Sequence, residues 1–256
     1  MRLPLVRRDQ GRLLPALLVL GALAFPMSAH ARGTRAQPLT PFGIAAGPDG
    51  KIWFTEGEGN RVCRMTLSGK VTTFTLPPYP YSAGAALHNV GLIVSGPRKG
   101  AGRGMLWFTD NQSGAIGRIT TTGKVLEFAV RSGADSLNGL AAGPDGNLWL
   151  SDTKANAIKM IKPDGTDPRP SDFNVTSPVG ITAGPDGNMW YVAPGDNAIG
   201  RISPVAGSQL QYPLPTSGST PAFIASGADG NLWFTEASTD HIGRITLKGT
   251  VTEFAL

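Results

Sequence analysis

The chain has 256 residues, enough to bury a core in one large domain or two small ones. Its 34 glycines and 21 prolines, beside only 16% charged residues, favour many short strands joined by tight turns over helices. The formal charge of +5 is concentrated at the start: residues 1–31 hold four of the 23 basic residues and one of the 18 acidic ones, leaving 19 against 17, so no phosphate footprint exists and nucleic-acid binding is excluded.

Residues 1–31 read as a cleaved signal peptide. Arg2, Arg7, Arg8 and Arg12 make a positive leader, residues 13–25 are largely apolar, and Ala29 and Ala31 place small side chains at −3 and −1 of a cut after Ala31. The apolar run falls short of the roughly 20 residues that span a bilayer, which weighs against an uncleaved anchor. The expected mature protein, 32–256, has no membrane span and lies in the bacterial periplasm or outside the cell. With Cys63 alone, its fold closes without a disulfide.

From residue 41 onward one motif recurs. Tryptophans stand at 53, 107, 149, 190 and 233, with spacings of 54, 42, 41 and 43, the period of a four-stranded propeller blade. The surrounding phrase is Gly47-Pro48-Asp49-Gly50 through Trp53-Phe54-Thr55-Glu56, repeated at Gly143-Pro144-Asp145-Gly146, Gly184-Pro185-Asp186-Gly187 and Gly227-Ala228-Asp229-Gly230. Apolar and polar residues alternate over five to seven positions, then stop at a glycine turn, four times per copy. In the last copy this predicts strands at 222–226, 231–235, 241–246 and 251–254.

The reading is therefore all-β: a β-propeller of five four-stranded blades, with repeats at about 41–76, 84–130, 137–175, 178–214 and 221–256. Such a sheet cannot bury both faces alone, so the copies stack around an axis. The tryptophans and the Ile-Gly-Arg-Ile phrase are the material between blades, and Arg118, Arg201 and Arg244 are expected to tie neighbours together. Cys63 replaces a glycine of that phrase and is expected to be small and buried. Residues 84–104, Gly-rich with Arg98, Lys99 and Arg103, are expected to form an exposed loop, and residues 34–39 offer weak evidence of an extra edge strand. The chain carries a complete outer strand at its last repeat, so closure by a strand shared between the termini is not expected, and a partner chain completing a larger ring is the structural alternative.

The phrases Gly-Pro-Asp-Gly-Asn-Leu-Trp-Phe-Thr-Glu, Ala-Ile-Gly-Arg-Ile-Thr and Gly-x-Val-x-Glu-Phe resemble those of the virginiamycin B lyase family, the streptogramin lyases, across all five copies. The resemblance implies a ring usually of seven blades and a magnesium-assisted elimination that opens the ester of a cyclic depsipeptide antibiotic, an activity that confers antibiotic resistance. That chemistry needs a base for the proton α to a carbonyl and a cation for the enolate-like charge. The resemblance puts the base at a histidine after proline on the innermost strand. Here the corresponding residues are Phe42, Val90, Asn138, Val179 and Ala222, none of them basic. The carboxylate after Trp-Phe corresponds to Glu56, Asp110, Asp152 and Glu236, with Ala193 breaking the series. The glutamate before Pro-His corresponds to Thr40, Ser136, Ser177 or Thr220, with His88 near it in the second copy.

A rotating repeat sets equivalent residues on one rim of the channel, which makes Glu56, Asp110, Asp152 and Glu236 the candidate metal ligands. Oxygen donors of this kind favour Mg²⁺ or Ca²⁺ over zinc. The alternative is that these acids are solvated or paired structural groups. His88 is the candidate catalytic base, Asn138 a candidate substrate-binding residue, and His241 a surface residue. Three functions compete: an exported propeller binding a small molecule, peptide or protein at its channel mouth without catalysis, which the missing histidines favour; a metal-dependent lyase with rearranged residues; and a metal-dependent lactonase using Glu56, Asn138 and Asp152, an analogy of fold and residue type alone.

Overall fold

Period-two alternation gives every strand two faces, and each repeat of this chain supplies four such strands in sequence order. A computed structural model describes residues 39–57, 59–77, 90–98, 100, 102–111, 113–130, 136–167 and 172–256. Blade 1 is β1 (Pro41–Ala46), β2 (Ile52–Glu56), β3 (Arg61–Met65) and β4 (Val71–Thr75). Blade 2 is β5 (Val90–Ser95), β6 (Met105–Asp110), β7 (Ala115–Thr120) and β8 (Val125–Ala129). Blade 3 is β9 (Leu137–Ala142), β10 (Leu148–Asp152), β11 (Ala157–Ile161) and the short β12 (Phe173–Asn174). Blade 4 is β13 (Ile181–Ala183), β14 (Met189–Ala193), β15 (Ala198–Ile202) and β16 (Gln209–Pro213). Blade 5 is β17 (Pro221–Ser226), β18 (Leu232–Glu236), β19 (His241–Ile245) and β20 (Val251–Ala255). Each blade is one antiparallel sheet with its strands in chain order, so the chain is a β-propeller of five four-stranded blades. Leu39–Leu256 forms one compact unit.

The tight turns form as expected, with the glycine of each hairpin at positive φ, as at Gly50 (+70°) and Gly69 (+87°). The strands of the last repeat fall within one residue of expectation. One expectation fails: Val90–Ser95 lies inside the segment 84–104 read as an exposed loop, yet it is the innermost strand of blade 2, with Val90 and Ile93 buried. Flanking glycines and basic residues masked a run whose apolar positions are those of a half-buried strand. The signal peptide, residues 34–38 of the proposed edge strand, and His88 lie outside the described residues.

The innermost strands stand side by side in the order β1, β5, β9, β13, β17. Tryptophan and its neighbour at +1 point to opposite faces. Trp53, Trp107, Trp149 and Trp190 are fully buried toward the following blade. Trp53, for example, packs with Ile93, Leu106 and Ile119 of blade 2. Each tryptophan stacks on an aromatic residue of the outermost strand, at centroid distances from 5.3 Å (Trp53–Phe74) to 5.9 Å (Trp107–Phe128).

Arg118 and Arg201 tie blades together as expected, and Arg64 does the same, whereas Arg244 makes its contacts within its own blade, with Thr252, Trp233 and Phe254. Arg64, Arg118 and Arg201 lie over the tryptophan of their own blade at 5.6–5.8 Å. Each donates through Nη1 to a hairpin carbonyl of the following blade: Thr121 (2.7 Å), Pro163 (2.6 Å) and Leu247 (3.0 Å). On the other face, the glycine at the third position of β7, β15 and β19 makes room for an aromatic ring: Gly117 for Phe108, Gly200 for Tyr191 and Gly243 for Phe234. Blade 1 carries Cys63 there, buried as expected, and burial raises its thiol pKa.

Candidate functional site

The rim where β2, β6, β10, β14 and β18 end is shaped by a bulge at the start of the innermost strands β1, β5, β9 and β17. Pro41 pairs with Glu56, Val90 with Asp110 and Pro221 with Glu236, after which the register shifts before Ile44, Ile93 and Ile224. This register corrects one correspondence: Val90 stands where Pro41 and Pro221 stand, so the position expected to be Val90 is Gly91. The mouth positions are then Phe42, Gly91, Asn138, Val179 and Ala222, an apolar collar with one amide.

A hydroxyl two residues after tryptophan fastens this bulge, a role the sequence reading did not assign. Gly43 N–H donates to Thr55 Oγ1 (2.8 Å), Leu92 N–H to Thr109 (2.9 Å) and Phe223 N–H to Thr235 (3.2 Å). Thr55 and Ser151 in turn donate to the Gly91 and Val179 carbonyls of the following blade. Recurrence of Thr or Ser at 55, 109, 151 and 235 was the available signal. A second missed role belongs to the Pro-Asp-Gly aspartate. Asp49, Asp145, Asp186 and Asp229 each accept the indole N–H of the blade's tryptophan, at 2.9, 3.2, 3.1 and 3.1 Å. Blade 2 lacks this aspartate, and Trp107 Nε1 is buried with no acceptor among the described residues.

The four rim acids are all buried, and each is held within its own blade. Glu56 pairs with Arg61. Asp110 accepts from Ser113 Oγ (2.6 Å), Asp152 from Ala155 N–H (3.1 Å) and Glu236 from Thr239 Oγ1 (3.2 Å). Asp152 also pairs with Lys159 Nζ at 3.0 Å, both side chains almost fully buried. Lys159 stands where blades 2, 4 and 5 have glycine and blade 1 has Cys63, and Leu150 stands where all four have Phe or Tyr, so the smaller ring-less side chain leaves space for the lysine. Among the described residues, no three His, Cys, Asp or Glu side chains converge as a metal site.

Asn138 is exposed at the mouth, its amide donating to Ser136 Oγ (3.1 Å) and Thr153 Oγ1 (2.8 Å). His241, expected at the surface, is only partly exposed: it begins β19 opposite Glu236, and its Nδ1 is buried without a partner. At the opposite end of the channel, the Gly-Pro turns surround a cavity of about 630 Å³ that includes Ser95, Ala142, Ala183 and Ser226, and Arg98 is the charged residue among its described lining.

Fold and rim together define a propeller with a closely packed polar under-layer and a largely apolar mouth. The sequence profile of the virginiamycin B lyase family matches residues 29–166 and 169–256, and the chain belongs to that family. It is 32% identical over 129 residues to a virginiamycin B lyase of Nocardia farcinica, a match covering 50% of this chain and 40% of that relative's length. Among solved structures, virginiamycin B lyase from Staphylococcus aureus aligns at 32% identity and a TM-score of 0.74, over 86% of this chain and 71% of that one. A catalytically inactive variant of the same enzyme with Quinupristin aligns at 32% identity and 0.74, over 87% and 72%.

Proposed function

We propose that this chain is an exported, ligand- or partner-binding member of the virginiamycin B lyase family that does not perform the family's elimination. The observation that carries the reading is the collar: Phe42, Gly91, Asn138, Val179 and Ala222 occupy, in the five blades, the position equivalent to the one where the family resemblance puts its histidines on two adjacent late blades. None of these side chains can remove a proton at neutral pH. The rim acids support the same reading, because each is engaged in holding its own blade's loop. What remains at the mouth suits a small molecule or peptide with apolar surface, oriented by the Asn138 amide.

The test is incubation of the mature chain with a streptogramin B depsipeptide and Mg²⁺, with chromatographic separation of closed and opened rings beside calorimetric titration. The expected result is no opening above the buffer rate, and no saturable Mg²⁺ or Ca²⁺ binding that Glu56→Gln with Glu236→Gln abolishes. Ring opening lost in that double variant overturns the non-catalytic reading in favour of the lyase, and hydrolysis of a simple lactone favours the lactonase. Export is checked by the N-terminus of the protein recovered from its host, expected to be Arg32.

A further inference from the structure

We propose that the groove between the outer strands of blades 3 and 4 binds a neutral saccharide. The site grows from one register position on the outermost strand. The residues paired with Met65, Ile119 and Ile245 are Val71, Val125 and Val251, whereas the residue paired with Ile202 in blade 4 is Gln209. Val125 and Val251 pack into the core shared with the preceding blade. Two further changes accompany the glutamine. Tyr191 stands where blades 1, 2 and 5 have Phe, and the outermost strand of the preceding blade is cut to the two residues of β12. Gln209 Nε2 donates to the Tyr191 hydroxyl (2.7 Å) and, across the junction, to the Asn174 carbonyl (3.2 Å).

These changes leave the junction open. Between blades 4 and 5 the same space is closed: Glu253 accepts from Thr216 N–H (3.1 Å) and Oγ1 (2.7 Å) of the preceding blade. The counterpart of Glu253 in blade 4 is Gln211. Only Thr176 and Ser177 join Val175 to Pro178, where residues 215–220 join Leu214 to Pro221, so the shorter loop has no match for Thr216. Gln211 Nε2 turns instead to Asp196 Oδ2 of its own blade, at 3.0 Å. A cavity of about 340 Å³ remains, lined by Asn156, Asn174, Thr176, Asp196, Gln209 and Gln211. Blades 3 and 4 each have a neighbour on both sides, so the groove belongs to an internal junction.

The lining sets the ligand class. Asp196 is the charged group among the described lining, so an anion meets no cation there. The amides are held in place by their own bonds: both Gln209 Nε2 protons are taken, and Asn156 Oδ1 accepts from Ser177 N–H at 2.8 Å. What they leave for a ligand is a mixed set, with acceptors at Gln209 Oε1 and Asp196 Oδ1, a donor at Asn156 Nδ2, and the exposed amide of Asn174. A hydroxyl both donates and accepts, and the neighbouring hydroxyls of a sugar ring meet such a set without leaving a partner unpaired, whereas an apolar ligand strips these groups of water and returns nothing. The volume lies at the small end of ligand pockets, about 300–1,000 Å³, which suits a mono- or disaccharide. The mouth, built on the innermost strands, is a separate place.

The test titrates the isotope-labelled mature chain with glucose, galactose, mannose, N-acetylglucosamine, lactose and cellobiose, and follows amide chemical shifts. Saturable binding of at least one sugar is expected, with shifts centred on Asn156, residues 174–176, Asp196 and residues 209–211. Gln209→Val installs the residue that three other blades carry, and Tyr191→Phe installs their ring, so both variants keep the fold, which the remaining shifts verify. Each is expected to weaken binding at least tenfold. Saturation by none of the six sugars overturns the proposal, and so do shifts centred on the mouth or binding that Gln209→Val leaves unchanged. Tighter binding of glucosamine or glucuronate than of every neutral sugar overturns it as well, because charge is then what the groove recognises.

Discussion

An indole N–H buried between two sheets must reach an acceptor, and in four blades the Pro-Asp-Gly aspartate provides it while also accepting backbone N–H groups of its own turn. A hydrogen bond to a charged acceptor is worth about 1.5–3 kcal/mol, whereas Trp107 already lacks one. Trp190→Phe is therefore expected to cost about 2 kcal/mol more than Trp107→Phe in chemical denaturation. The same bonds act on the carboxylates. Burial of Asp186 favours its neutral form, but the Asn188 amide, the Trp190 indole and the Asn188 N–H outweigh it and hold its pKa below the ordinary value. At exposed Asp229 the Asn231 amide and then the Trp233 indole lower the pKa. A lowered folded-state pKa contributes stability above the unfolded value of about 3.9, and that contribution is lost as pH falls through the folded value. Stability is expected to drop below about pH 4, measured by urea midpoints, and Asp186→Asn is expected to shrink the drop.

Blade 3 departs from the others at paired positions. Where blades 2, 4 and 5 set Phe or Tyr against glycine, blade 3 sets Leu150 beside Lys159 and uses the space for a buried ion pair with Asp152. Breaking a buried pair leaves an uncompensated charge, so Lys159→Met is expected to destabilise the chain by about 3–5 kcal/mol, read by equilibrium unfolding. The blades were legible in the sequence because tryptophan, glycine turn and alternation repeat together. The innermost strand of blade 2 was not, since Val90–Ser95 sits among glycines without the Gly-Pro-Asp-Gly turn that marks its counterparts. Site roles were harder to read. Asp49 and Thr55 recur as plainly as Trp53, but their acceptor and donor duties depend on partners four and twelve residues away in chain and adjacent only across the folded strands. Recurrence of Glu56, Asp110, Asp152 and Glu236 suggested a shared ring, although the acids bond locally, blade by blade.

Across the whole molecule, each blade touches only its neighbours, so stability is approximately a sum of blade terms and junction terms. Blades 2, 3 and 4 have a junction on both sides. Blades 1 and 5 have one each among the described residues, and their outer faces leave Ile44 and Phe223 in solvent. Opening a terminal blade breaks one junction, whereas opening a middle blade breaks two, so the free energy of local opening rises toward the middle of the series. Amide hydrogen exchange is expected to show this gradient: protection greatest in β9–β11 and β14–β15, least in β3 and β19. Equal protection across all five blades contradicts this account of junctions.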